Sequence, residues 1–260
     1  MKFYYPEINS CKWVFLIISL AAGMLSPNTA FSDERLIRLG IVEKEYPPYK
    51  VFKDGAMSGI VGDTFLAVSK IINYKIDITV LPRKRLHRQI KAGNIDALAS
   101  ALEWEKEEKQ LTWTEGIIQV SDNVVMRKDK AKNILSSADL KGKQVALMEG
   151  YTYPSLEESI KNGMVLANRV SKLQNLLRMV DGKRVDYGVL DQNVARWVML
   201  GLTPNLAERL YFSSPGFDEV EYRVILYPTK DWTSFIQEFN KALAKFKTTK
   251  AWGDILNKYR

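Results

Sequence analysis

A short apolar segment, Leu36 to Val42, runs into Tyr46-Pro47-Pro48-Tyr49, and this junction constrains the fold more than any other part of the chain. Each proline fixes its own φ, removes a backbone donor and biases the residue before it away from helix. The two tyrosines are therefore held on a stiff loop at the carboxyl end of a strand, where open α/β sheets place their ligands. A polar hairpin tip, Lys53-Asp54-Gly55, then Gly59 and an apolar helix follow. Strand, stiff aromatic loop, turn and helix make a first α/β unit.

The residues before this unit read as an export signal. Lys2 and Lys12 precede an apolar run, Trp13 to Leu25, which Ser26-Pro27-Asn28 breaks; Ala30-Phe31-Ser32 then offers small residues for a cut after Ser32. The run is about 13 residues, short of the roughly 20 that span a bilayer, so a cleaved signal is expected over residues 1–32 and an uncleaved anchor is the alternative. The only cysteine, Cys11, precedes the run, so a lipid anchor through it is not expected and the mature chain carries no disulfide or thiolate chemistry. A periplasmic protein is expected.

At 46% hydrophobic and 26% charged residues, the remainder has the composition of an ordinary globular chain. The net charge of +8 raises the question of nucleic acid, but the lysines are spread rather than striped and the chain is exported; a solvated basic surface and no nucleic-acid partner are expected. Strands are expected at Leu36–Val42, Lys75–Leu81 and Ile95–Leu102. Between them stand helices at Gly62–Ile72, with Phe65, Leu66, Val68, Ile71 and Ile72 on its buried side, and near Lys84–Ala92. This alternation implies parallel crossovers. Ile117 to Met126 reads as an extended segment leaving the first lobe. A second set follows: strands Gln144–Met148, Val165–Val170 and Val185–Leu190 with helices Pro154–Lys161, Lys172–Val180 and Gln192–Leu200. Val220 to Tyr227 reads as a return crossing. Trp232, Phe235, Ile236, Phe239, Leu243 and Phe246 recur at helical spacing, a core stripe with Asp231 as N-cap, and Trp252 to Tyr259 form a last short helix.

Several local patterns resemble the family 3 extracytoplasmic solute-binding proteins, the polar amino-acid type of periplasmic binding protein. Lys91-Ala92-Gly93-Asn94-Ile95-Asp96-Ala97 is similar to that family's K-x-G-x-x-D-A element, and Asp139-Leu140-Lys141-Gly142-Lys143-Gln144-Val145 to its D-L-K-G-K-x-V. Asp186 to Asp191 resembles V-D-A-x-x-x-D, and Ile255 to Tyr259 the I-x-x-K-W/Y ending. The resemblance covers almost the whole mature chain. It implies an α/β, two-lobed, type II periplasmic-binding-protein fold, each lobe a mixed, mainly parallel sheet flanked by helices, with two hinge crossings. Lobe one would be 33–122, lobe two 123–217, and 218–260 a return crossing with carboxyl-terminal helices packing on lobe one. A cleft between such lobes can close on a ligand.

The same resemblance nominates a site. Tyr49 matches the aromatic that stacks on the ligand, with Tyr46 beside it; the alternative is that both only pack the loop. Asp191 matches the aspartate that takes the ligand's ammonium, though a carboxylate there also suits an N-cap. Tyr151 and Thr152, after Gly150, match the turn that holds the ligand carboxylate, the alternative being that Thr152 only caps its own helix, and Ser100 ends a strand facing the cleft. Two departures stand out. Where amino-acid binders carry an arginine that clamps the α-carboxylate, this chain has Glu107 or Glu108, within a charged run that otherwise reads as a solvated helix with pairs such as Glu105 with Lys109. Conversely, Leu81-Pro82-Arg83-Lys84-Arg85 puts three cations at a helix's positive end, which electrostatics disfavours. Arg83 or Arg85 is thus a candidate to meet an anionic group, the alternative being a surface cluster compensated by the acidic run, and His87 is expected at the surface or in a supporting position rather than as a catalyst.

One histidine and no mature cysteine leave no metal or thiol chemistry, no P-loop or G-x-S-x-G pattern occurs, and no cofactor is expected. The expected function is capture of a small polar solute by a monomeric periplasmic protein serving an ABC permease. Two alternatives remain: a dehydratase acting on a prephenate-like acid through carboxylates such as Glu103, Glu105, Glu149 and Asp191, or a sensor presenting its liganded form to a membrane partner.

Overall fold

The computed structural model describes residues 35–43, 46–53, 56–105, 111–202 and 205–259. The export signal with Cys11, the hairpin tip at Asp54-Gly55 and the residues 106–110, with Glu107, Glu108 and Lys109, lie outside the described residues.

Among the described residues, twelve strands and eight helices follow one another in an α/β order: β1 (Leu36–Val42), β2 (Val51–Lys53), β3 (Ala56–Ser58), α1 (Ile60–Ile71), β4 (Lys75–Leu81), α2 (Arg83–Lys91), β5 (Ala97–Ser100), β6 (Thr112–Trp113) and β7 (Ile118–Arg127); then β8 (Gln144–Met148), α3 (Pro154–Lys161), β9 (Leu166–Val170), α4 (Leu173–Asp181), β10 (Tyr187–Asp191), α5 (Gln192–Leu200), α6 (Leu206–Arg209), β11 (Leu210–Phe212), β12 (Phe217–Leu226), α7 (Thr233–Phe246) and α8 (Lys250–Lys258). β2 and β3 form a separate hairpin. The other strands form one curled sheet in the order β4-β1-β5-β12-β7-β10-β8-β9, with β6 on β12 and β11 on β7. β1 pairs in parallel with β4 and β5, and β8 in parallel with β9 and β10. Between these two parallel groups run β7 and β12, antiparallel to each other.

Most elements lie where the periodicity puts them: β1, β4, β8, α3 and α5 coincide with their expected spans. The differences have local causes. α1 starts at Ile60, because the carbonyls of Pro48 and Tyr49 accept its first free N–H groups at 2.9 Å each. It ends before its apolar pattern does, so Ile71 is exposed rather than buried. The segment after β5 makes a short 3₁₀ turn, Leu102–Trp104; the rest of the charged run, 106–110, lies outside the described residues. At α7 the capping position is Trp232, whose side chain makes no cap bond; Asp231, one residue earlier, accepts from Thr233 N at 2.9 Å.

The aromatic stripe of α7 is core, as its spacing implies. Phe235 and Phe239 are buried, Phe239 sits 5.8 Å from the Phe65 ring of α1, and Phe235 sits 4.9 Å from Tyr74. Each half of the sheet also uses a strand glycine to admit a helix. A Cβ on Gly40 would meet Leu86 of α2 at 2.6 Å, and one on Gly188 would meet Leu176 of α4 at 2.5 Å.

Asp96, in the loop that leads into β5, ties that half together. Its carboxylate, 2% exposed, accepts from Arg38 N (2.9 Å), Nε (2.9 Å) and Nη2 (2.6 Å) and from Thr229 Oγ1 (2.6 Å). Burial pushes the carboxyl up, but the bonds from Arg38 and Thr229 outweigh it and hold the group below the usual carboxylate range. The stability this gives is present above the ordinary aspartate pKa and is lost as pH falls through the depressed one. Asp96→Ala is expected to cost roughly 3 kcal/mol in urea unfolding at neutral pH, and the gap from the parent protein should narrow in acid.

Candidate functional site

The carboxyl ends of four parallel strands converge on one cavity of about 500 Å³. Val42 and Glu43 come from the end of β1, Pro82 and Arg83 from the end of β4, and Ala99 and Ser100 from β5. The turn after β8 supplies Glu149, Gly150, Tyr151 and Thr152 from the other half. Tyr46 and Lys50 enter from the proline loop, Trp104 from the 3₁₀ turn, and Asp122 and Tyr222 from the crossing strands β7 and β12.

The proline loop is fixed by its backbone. Tyr46 N donates to Lys50 O at 2.8 Å and Lys50 N to Tyr46 O at 2.9 Å, closing a tight turn. Gly59 has φ +95°, and a Cβ there would stand 2.5 Å from the Tyr49 carbonyl oxygen, so the junction of loop and α1 needs glycine. Gly59 N in turn donates to Tyr259 Oη at 2.8 Å, which binds the last helix to the same point.

Four rings line the cavity. Tyr46 and Tyr151 meet edge to face at 5.7 Å across the two halves, Trp104 and Tyr222 do so at 5.3 Å, and Tyr46 lies 6.4 Å from Tyr222. Burial pushes the Tyr46, Tyr151 and Tyr222 hydroxyls up, Tyr151 to about 12, so all three stay protonated and neutral. Ser100 Oγ donates to Glu105 Oε1 at 2.8 Å.

Tyr49 and Asp191 are engaged with each other and not with the cavity. Tyr49 is fully buried; its hydroxyl donates to the Asp191 carboxylate at 3.0 Å and accepts from Asn193 Nδ2 at 2.9 Å. Asp191 also caps α5, accepting from Asn193 N at 2.8 Å and Val194 N at 3.0 Å. Of the residues the sequence nominates, Tyr46, Arg83, Ser100, Tyr151 and Thr152 line the cavity together. Arg85 is exposed on α2 and does not line it, while Tyr49 and Asp191 form a buried contact across the halves.

Sequence reasoning assigned no solute contact to Lys50, Trp104, Asp122 or Tyr222. Lys50 adjoins Tyr49 in the proline loop, a signal that was available. Asp122 and Tyr222 lie within extended runs whose pairing partners the sequence does not name.

The cavity wall has two poles. Burial, then the carboxylates of Asp191 and Asp218, push the Asp122 carboxyl up to about 8. Burial, then the Arg83 guanidinium, push the Lys50 ammonium down to about 8, against a smaller pull from Glu105. Among the described residues no cluster of three or more His, Cys, Asp or Glu side chains could hold a metal ion, and no helix is long and apolar enough to cross a membrane.

Residues 37–260 match the family model of the bacterial extracellular solute-binding proteins, family 3. The chain is 24% identical to the "Probable amino-acid-binding protein YxeM" of Bacillus subtilis (strain 168), over 95% of its own length and 94% of that protein's. Its fold is similar to that of an ancestral arginine-binding protein bound to arginine (TM-score 0.64, 22% identity, 86% of this chain and 98% of that one). It is also similar to the GluR0 ligand-binding core in complex with L-glutamate (TM-score 0.66, 16% identity, 86% and 97%). These likenesses establish the two-lobed, type II periplasmic-binding-protein fold. The family match supports a solute-binding role and not the dehydratase alternative.

Three outcomes follow from the site's geometry. Tyr49→Phe removes a buried hydroxyl with partners on both sides and is expected to cost about 1–3 kcal/mol in urea unfolding. Asp191→Ala should cost more, because the α5 cap is lost as well. At Asp122 the folded-state pKa lies above the ordinary one, so the folded protein retains a proton that the unfolded chain releases, and stability falls as pH rises from about 4 to about 8. Asp122→Asn should remove that slope, with an unfolding midpoint a few degrees above the parent near about pH 9 and equal to it near about pH 4.

Proposed function

We propose that this chain, which belongs to the bacterial extracellular solute-binding proteins of family 3, captures a small polar solute in the cavity between its lobes and hands it to an ABC-type import partner in the membrane. Residues 33–122 with 218–260 are taken as one lobe and 123–217 as the other. Export to the periplasm follows cleavage after Ser32. The observation that carries this reading is the composition of the cavity wall: strand ends from one lobe supply Arg83 and Ser100, the turn after β8 in the other supplies Tyr151 and Thr152, and the crossing strands supply Asp122 and Tyr222. A solute that touches both walls binds the closed form better than the open one, which is what shifts a closing equilibrium.

The reading requires no covalent chemistry. Arg83 gives a fixed positive charge at the rim, the hydroxyls of Ser100, Thr152 and Tyr151 give directional hydrogen bonds, and the rings exclude water. Thermal unfolding of the mature protein against amino acids, polyamines, organic acids and aromatic acids tests the proposal. At least one class is expected to raise the unfolding midpoint by several degrees at saturating concentration. Arg83→Ala and Tyr151→Ala should each weaken that ligand by about tenfold or more. A ligand that binds both variants as tightly as the parent would place the solute elsewhere.

A further inference from the structure

Helix α5 grips the first half of the molecule outside the cavity. Its cap Asp191, 3% exposed, accepts from Asn193 N at 2.8 Å and Val194 N at 3.0 Å, and the Tyr49 O–H is shared between its two carboxylate oxygens at 3.0 Å each. The Tyr49 hydroxyl accepts in turn from Asn193 Nδ2 at 2.9 Å. Tyr49 belongs to the proline loop of the first half; Asp191 and Asn193 belong to β10 and α5 of the second. One turn further along α5, the Trp197 ring lies 6.1 Å from the ring of Tyr259. Tyr259 is itself fastened to the first half, because its hydroxyl accepts from Gly59 N at 2.8 Å and donates to Asp63 at 2.9 Å. Val194 and Val198 of α5 share one buried apolar cluster with Tyr49 and Tyr259. None of these side chains lines the cavity.

Resting on the two-lobed, solute-binding reading above, we propose that this contact is a latch: the Tyr49 hydroxyl on Asp191 and Asn193, backed by Trp197 against Tyr259, holds the two lobes closed without any solute. Opening about the hinge draws α5 away from the proline loop and from α8, so both contacts belong to the closed form. Separating them exposes a buried carboxylate that has lost its phenol donor and an indole that has lost its facing ring, and both changes oppose opening. Because the latch lies outside the cavity wall, it acts whether the cavity is empty or filled. Closure is then not left to the solute alone. The solute meets lobes that are already mostly shut and enters through the minor open form. Affinity rises with the closed fraction, while entry slows because binding waits for opening.

The distance between the lobes, measured with no solute added, tests the latch. A protein beginning at Asp33 contains no cysteine, so two introduced thiols take spin labels without competition. Lys84→Cys on α2 and Glu158→Cys on α3, both at exposed positions, place one label on each lip of the cleft. Double electron–electron resonance on this protein, refolded from denaturant to strip any carried solute, is expected to give one main, short distance. Tyr49→Phe should lower the closed-to-open ratio about tenfold, seen as a new population at longer distance. Asn193→Ala should do the same to a smaller degree; its site is exposed, so it carries the comparison if Tyr49→Phe fails to fold. Asp96→Ala weakens the first half away from the latch and should match the parent, which separates loss of the latch from loss of stability. A parent that is open without solute would overturn the latch, as would latch variants whose distances equal the parent's. Either result leaves solute capture standing, since that reading fails only if the thermal panel is silent.

Discussion

Strand β12 hydrogen-bonds to both halves of the molecule, and the position of the cavity depends on it. From Phe217 to Tyr222 it pairs with β7; from Arg223 to Leu226 it pairs with β5, and its last two residues also pair with β6. The change of partner falls between Tyr222 and Arg223, so Tyr222 is carried to the point where the two sheets part. A register shift between Phe217 and Val220 bends the ribbon just below. β7 makes the complementary change: its early residues pair only with β12, and from Asp122 onward it pairs with β10. Asp122 and Tyr222 thus stand where these strands change partners, and both line the cavity.

The elements legible in the sequence are those set by local rules. β1 and β4 are apolar runs closed by turn residues, and α3 begins at Pro154 with the proline in its first turn, where its missing donor costs nothing. Ile71 fails for an equally local reason: helical spacing marks it as buried, but the helix ends there and the chain turns at Asn73, which has positive φ. What the sequence could not supply is partner choice over long separations. Tyr49 and Asp191 are 142 residues apart, and each alone reads as a ligand contact at the carboxyl end of a strand. Their mutual hydrogen bond takes both away from the cavity. Asp122 stands between Ser121 and Asn123 in a run that reads as a polar strand end, and only the ladder shows which of the three lines the cavity.

Glu103 and Glu105 belong to a charged run in the sequence; among the described residues this stretch is a short 3₁₀ turn that ends at Trp104, with Glu105 accepting from Ser100. Beside that bond, the Trp104 indole meets Tyr222 edge to face at 5.3 Å.

The two poles of the cavity compensate in opposite senses. Burial and nearby carboxylates drive Asp122 toward its neutral form, while burial and Arg83 drive Lys50 toward its neutral form, each toward a pKa of about 8. Near neutrality the Asp122 carboxyl therefore keeps its proton while the Lys50 ammonium stays largely charged, so the wall carries less negative charge than its residues could.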